Sequence, residues 1–158
     1  MASEFIAFAE LVWQDQIQRF PELRPAFIRL DTLNNSQGYV QTRFAGIEYK
    51  NGERYHDVRL MFEVLRLESE DVIQAILHSV VHCLNYDRGV NDTDGMGHHN
   101  NNFKETAHEV GLDTFWAGNF GWLTKVGDIK KTKQYQLRKN SFNNIKPFRF
   151  VEPNGVVI

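Results

Sequence analysis

His78 and His82 stand four residues apart in the apolar run AILHSVVHCLNYDRG, residues 75–89. On a helix four residues is slightly more than one turn, so both imidazoles leave the same face. Two nitrogens so placed supply half of the tetrahedral set that zinc holds at roughly 2.0–2.1 Å. Cys83 is the only cysteine. A four-thiolate site is therefore excluded, and any metal must be held by histidine and carboxylate. His98 and His99 follow a Gly-punctuated loop at the start of the next helical pattern. If the two helices run antiparallel, that loop returns a third imidazole to the same face. Spacing alone is equally compatible with histidines hydrogen-bonded in a core. His56 and His108 read as ordinary surface or satisfied residues.

The elements that must position these side chains can be read from periodicity. SEFIAFAELVWQDQIQRFPEL carries an apolar stripe of Phe5, Phe8, Leu11, Val12, Ile17 and Phe20 behind Ser3 as N-cap. Pro21 and Pro25 end that helix. AFIRLDTL, YVQTRFAGIEY and YHDVRLMFEVLRL read as strands, the last two joined by a turn at Asn51-Gly52, with the end of the third equally open to a helical reading. Ser69, followed by Glu70 and Asp71, is an N-cap candidate for a helix over 70–85. Residues 86–98 form a polar loop; its NDTDG lacks the later glutamate of a calcium loop and reads as a turn. NNNFKETAHEV is a second helix with Gly111 as its C′ residue. The expected fold is a single α+β domain over 1–158: a small antiparallel sheet packed with helices, and a zincin-like metal helix followed by a third-ligand helix. Its core is expected in 1–120, with a basic, aromatic extension over 121–158.

Residues 69–112, SEDVIQAILHSVVHCLNYDRGVNDTDGMGHHNNNFKETAHEVGL, resemble the SprT-like family of zinc metallopeptidase domains, in the compact versions found in actinobacteria and their phages. In that family an H-E-x-x-H helix precedes an R-G-(I/V)-x-D-T loop, an H-N-x-x-F segment and a helix ending in E-x-G-L. Here His78 and His82 match the first two ligands. Arg88, Gly89, Val90, Asp92 and Thr93 match the loop, and His99, Asn100 and Phe103 match the third-ligand segment. Glu109, Gly111 and Leu112 match the helix end. The resemblance implies zinc held by His78, His82 and His99, with His98 left as a neighbour on the substrate side. It ends after residue 120, where many relatives carry a cysteine zinc ribbon.

The resemblance also implies peptide hydrolysis, in which zinc polarises the scissile carbonyl and the motif glutamate moves the water's proton. Ser79 stands where that glutamate would be. A hydroxyl is no base near neutral pH, and general acid–base help is typically worth about 10²–10⁴-fold. The expectation is an impaired or silent peptidase. The alternatives are an active enzyme with another carboxylate as base, among Asp92, Asp94, Glu105 and Glu109, and a metal-free interaction module.

Charge is uneven along the chain. Residues 1–120 hold 10 Lys/Arg against 18 Asp/Glu, whereas 121–158 hold 8 against 2. In that stretch Lys130, Lys131, Lys133, Arg138 and Lys139 interleave with Tyr135, Phe142, Phe148 and Phe150. Cations can neutralise phosphates and aromatics can stack on unpaired bases, so the stretch reads as a β-hairpin with a nucleic-acid-facing basic side. SprT-like proteins act on proteins bound to DNA, so the resemblance implies DNA or a DNA-bound protein as partner. No apolar run of about 18 residues is present, so no membrane segment is expected. Glu4 and Glu10 argue against a signal peptide, and one cysteine fits the cytoplasm.

Overall fold

Pro21 and Pro25 bracket the first reversal of the chain. The computed structural model describes residues 2–32 and 39–145. Helix α1 (Ala2–Arg19) stops just before these prolines. It buries Phe5, Phe8, Val12 and Trp13, and Trp13 Nε1 donates to the Arg24 carbonyl at 2.9 Å. Strand β1 (Ala26–Asp31) follows, then β2 (Val40–Glu48) and β3 (Arg54–Met61). β2 and β3 pair antiparallel around the predicted Asn51-Gly52 turn, where Gly52 has φ 83°.

The sheet is mixed rather than wholly antiparallel. Its order is β1-β3-β2, and β1 runs parallel to β3. β3 takes the centre because His56, Val58 and Leu60 on its inner face are all fully buried. That leaves β1 on the far edge, where it is no hairpin partner of β2. The β3 strand also ends earlier than its apolar pattern: Phe62–Arg66 is a 3₁₀ turn.

Helix α2 (Ser69–Asp87) lies against the inner face with Val72, Ile73, Ile76, Leu77, Val80 and Leu84 buried. Its N-cap is Glu68, without a side-chain cap, so Ser69 begins the helix instead of capping it. Helix α3 (Asn101–Val110) is capped by Asn100, whose side chain accepts from Asn102 N and Phe103 N. It closes on Gly111 at φ 103°, where a Cβ would meet Ile129 Cβ at 2.7 Å. Strands β4 (Leu112–Trp116) and β5 (Trp122–Val126) form a second, antiparallel sheet.

The basic stretch is not a hairpin. After β5 and a short turn at Asp128–Lys131, residues Lys133–Ile145 form helix α4. Tyr135 and Phe142 fall seven apart on one face of it and are buried, which is the helical spacing the β reading overlooked. Phe142 packs against Phe5 and Phe8 of α1 at 6.1 and 5.2 Å between ring centroids. Ile129, Tyr135 and Phe142 join the same core as the first 120 residues. The predicted FRF segment with Phe148, Arg149 and Phe150 lies outside the described residues. Among the described residues no helix is long and apolar enough to cross a membrane.

If α4 is part of the core, Phe142→Ala destabilises the fold by about 3 kcal/mol, the usual cost of emptying a buried phenylalanine site. Urea denaturation of the two proteins measures it; an unchanged midpoint would mean that α4 is not packed as described.

Candidate metal centre

α2 presents His78 and His82 on one face, and the segment before α3 returns His99 to them. The three offer ring nitrogens that all lie within 4.8 Å of one another. His82 Nε2 is 3.2 Å from His78 Nε2 and 3.1 Å from His99 Nε2. Phe103, fully buried, forms the floor: its ring stacks on His99 at 3.9 Å and 11°, and meets His78 and His82 at 5.1 and 4.9 Å.

His99 is held in place by backbone. It bridges Thr93 on one side and Gly121 on the other. Gly121 has φ 73°, and a Cβ there would lie 2.4 Å from the His99 carbonyl oxygen, so only glycine fits. Asn100 caps α3 in the next position and also donates to the Asn91 carbonyl, which closes the loop against the helix start.

The remaining ring nitrogens decide what the Nε2 atoms can be. His99 Nδ1 bonds the Trp122 carbonyl, an acceptor only, so Nδ1 carries the proton. His82 Nδ1 lies 2.8 Å from Asp92 Oδ2, and an ionised carboxylate likewise only accepts. Asp92 is buried and is itself held by Asn85 Nδ2 at 3.1 Å, while Thr106 Oγ1 donates to Asn85 Oδ1 at 2.6 Å. With both Nδ1 atoms protonated, the neutral rings turn two Nε2 lone pairs toward each other at 3.1 Å. No hydrogen bond fits between two lone pairs. His78 Nδ1 lies 3.0 Å from Thr124 Oγ1, which also accepts from Gln74 Nε2.

Relief by a proton is opposed by the surroundings. Burial, and then the neighbouring His82 and His99, hold His78 well below the ordinary imidazole value of 6.5. Burial also lowers His99. A cation accepting all three lone pairs fits the donor set. Two nitrogens on a tetrahedral ion at 2.0–2.1 Å would stand about 3.3 Å apart, close to the separations found. The three histidines therefore form a group able to hold a metal ion.

Ser79 points away from this trio's polar side. It is buried at 2% exposure, and its hydroxyl pairs with Thr42 Oγ1 of β2 at 2.7 Å. The four carboxylates weighed as substitute bases are differently employed. Asp92 orients His82. Asp94 accepts from Met96 N and His98 N and bonds the His98 ring at 3.0 Å. Glu109 pairs with Arg88. Glu105 is exposed on α3. Among the described residues Asp92 is the carboxylate hydrogen-bonded to the trio.

His98 is half-exposed on Asp94 and outside the trio. His56 is fully buried, bonded to Asp87 at 2.8 Å and accepting from Ala45 N at 3.0 Å, where it supports the φ 48° bulge of β2. His108 bonds Thr114 on the surface. Cys83 is buried, and burial pushes its thiol up, away from ligand chemistry.

The five basic residues of the predicted nucleic-acid face are divided. Lys130 and Lys131 sit on the Asp128–Lys131 turn, and Lys131 reaches Asp128 at 3.0 Å. Lys133 and Lys139 lie on α4. Arg138 is not free for phosphate: its Nε and Nη2 donate to the two oxygens of buried Asp15 at 2.7 and 2.9 Å. Sequence reasoning missed Gln74 of α2 and, from the segment beyond residue 120, Gly121, Thr124 and the Trp122 carbonyl.

Together these features define the class of molecule, an α+β domain with a three-histidine candidate metal centre. Neither protein-family models, nor curated proteins, nor solved structures give a match to the chain.

Partners that hold the far side of a ligand imidazole typically change metal affinity about 10–100-fold. Asp92→Asn therefore weakens zinc binding by that order while the fold persists, measured by competition with a chromogenic chelator. Unaltered affinity would remove Asp92 from the site.

Proposed function

We propose that this chain is a zinc-binding protein of the SprT-like metallopeptidase type, with peptidase activity impaired or absent and a recognition role near nucleic acid. The observation that carries the reading is the pair of acceptor-held imidazoles, His82 and His99, whose Nε2 atoms meet at 3.1 Å beside His78. Three imidazoles without a thiolate suit zinc among the common divalent ions. When bound, the ion would supply Lewis acidity toward a carbonyl oxygen.

The chain's own residues would do the rest, and here they fall short of hydrolysis. His78, His82 and His99 hold; Asp92, Thr124 and the Trp122 carbonyl orient. Among the described residues no side chain is placed to take a proton: Ser79 is neither a base nor free of Thr42. Lacking that group removes about 10²–10⁴-fold of rate. Lys130, Lys131 and Lys133 are exposed and Lys139 is partly buried; together they support contact with a polyanion such as DNA.

Elemental analysis of untagged protein, with His99→Ala beside it and unfolded casein as substrate, tests the reading. About one zinc per chain, lost in the variant, with cleavage no faster than the variant's, is the expected result. Cleavage by the parent that disappears with His99 would establish an active peptidase with another base. Metal content indifferent to His99 would leave a metal-free interaction module.

A further inference from the structure

The outward face of the three-stranded sheet carries a pattern that the metal centre does not use. The pairing register lays it out in rows. Phe27, Asp57 and Arg43 form one row across β1, β3 and β2; Arg29, Arg59 and Gln41 form the next. Asp57 is fully buried, and one of its oxygens, Oδ2, is shared by three guanidinium groups: Arg29 at 3.0 Å, Arg59 at 3.8 Å and Arg43 at 3.9 Å. Among the described residues the further carboxylate paired with the three is Asp31, 3.6 Å from Arg59.

Three cations against two carboxylates leave a positive excess. The carboxylate at the centre is covered, so solvent meets the guanidiniums: the side chains of Arg29, Arg43 and Arg59 are 39%, 66% and 30% exposed. The Nε atoms of Arg29 and Arg59 have no hydrogen-bond partner among the described residues. Both Nε atoms are buried, so the donors left for phosphate oxygens are on the exposed parts of these planar guanidiniums. Two aromatics flank the arginines and stay exposed: Phe27 at the start of β1, and Tyr39 beside the end of β3, where its carbonyl accepts from Met61 N. They are four register positions apart, about 13 Å along the strands.

We propose that this face binds the backbone of a single-stranded nucleic acid, with Arg29, Arg43 and Arg59 on phosphates and Phe27 and Tyr39 stacked on bases. An acidic protein would satisfy the arginines, but only a nucleic acid strand couples a π face to every phosphate along its backbone. A duplex would offer phosphates but keep its bases paired. This places the nucleic-acid contact of the reading above on a surface distinct from the lysines of 130–139. It rests on the nucleic-acid half of that reading and is independent of the metal.

Fluorescence anisotropy of a labelled oligo-dT strand, titrated at several salt concentrations, tests it on the full chain and on metal-stripped protein. Arg43 is the most exposed of the three and the furthest from Asp57, so Arg43→Ala is the variant least apt to disturb the fold; thermal melting checks this. Expected are metal-independent binding, a salt slope shallower by about 0.7 in Arg43→Ala, and affinity about ten-fold weaker in Phe27→Ala. Arg43→Lys should recover most of the slope, since charge is retained. Absence of binding at low salt, equal affinity for a duplex of the same length, or loss on replacing Lys130, Lys131, Lys133 and Lys139 but not Arg43 or Phe27, would each overturn the proposal. Because the strand is titrated without metal, failure here leaves the zinc reading untouched, and loss of zinc on His99→Ala says nothing against this face.

Discussion

Two imidazole nitrogens, each with its partner nitrogen committed to an acceptor, face one another at 3.1 Å in a partly buried site. Much of the molecule serves to create that situation. α2 gives His78 and His82 a common face, Asn100 starts α3 one residue after His99, and Gly121 admits the His99 backbone at a distance that any Cβ would forbid. The relay from Thr106 through Asn85 to Asp92 fixes His82 from beneath. Lone pairs brought together in this way repel unless a cation lies among them. Burial works in the same direction, since it lowers His78 and His99 and so disfavours the proton as that cation.

The same packing fixes what surrounds the position after His78. A residue following His78 on α2 must face β2, and there Ser79 meets Thr42 in a tight, buried hydroxyl pair. The carboxylates nearby stabilise structure: Asp92 holds a ring, Asp94 closes a turn and Glu109 anchors Arg88. Among the described residues the three ring nitrogens are thus gathered while these carboxylates are engaged elsewhere. The outer sheet face shows the opposite economy. Asp57 there faces three guanidiniums through one oxygen, more positive charge than it can neutralise, and the excess is left open to solvent.

The parts legible in the sequence were those set by local periodicity and turn chemistry. Phe5, Phe8 and Val12 marked the buried face of α1, although Leu11, placed on the same stripe, is 46% exposed and Trp13 took the core position instead. Asn51-Gly52 and Gly111 marked their turn and helix end because positive φ demands such residues. The i, i+4 pair could also be read, since one helix turn brings it together; spacing left His98 and His99 open as the third, and the family resemblance pointed to His99. What could not be read came from long-range contact. β1 pairs parallel with β3, a long-range contact that no local pattern in either strand signals. The stretch after residue 130 becomes a helix because Tyr135 and Phe142 find α1 and α2, whereas its aromatics and lysines alone looked β-prone. Arg138 appeared free until Asp15, 123 residues earlier, claimed it. Thr124 and the Trp122 carbonyl carry no motif; only pairing of β4 with β5 brings them to the histidines.

Long-range ¹H–¹⁵N spectra of the imidazoles, recorded while zinc is added to metal-stripped protein, test the central claim most directly. The account predicts that Nε2 of His78, His82 and His99 shift together and saturate at about one equivalent, with Nδ1 of His82 and His99 protonated throughout. His56, His98 and His108 should not move. A spectrum in which His98 replaces His99, or in which Nδ1 and not Nε2 of His82 responds, would contradict it.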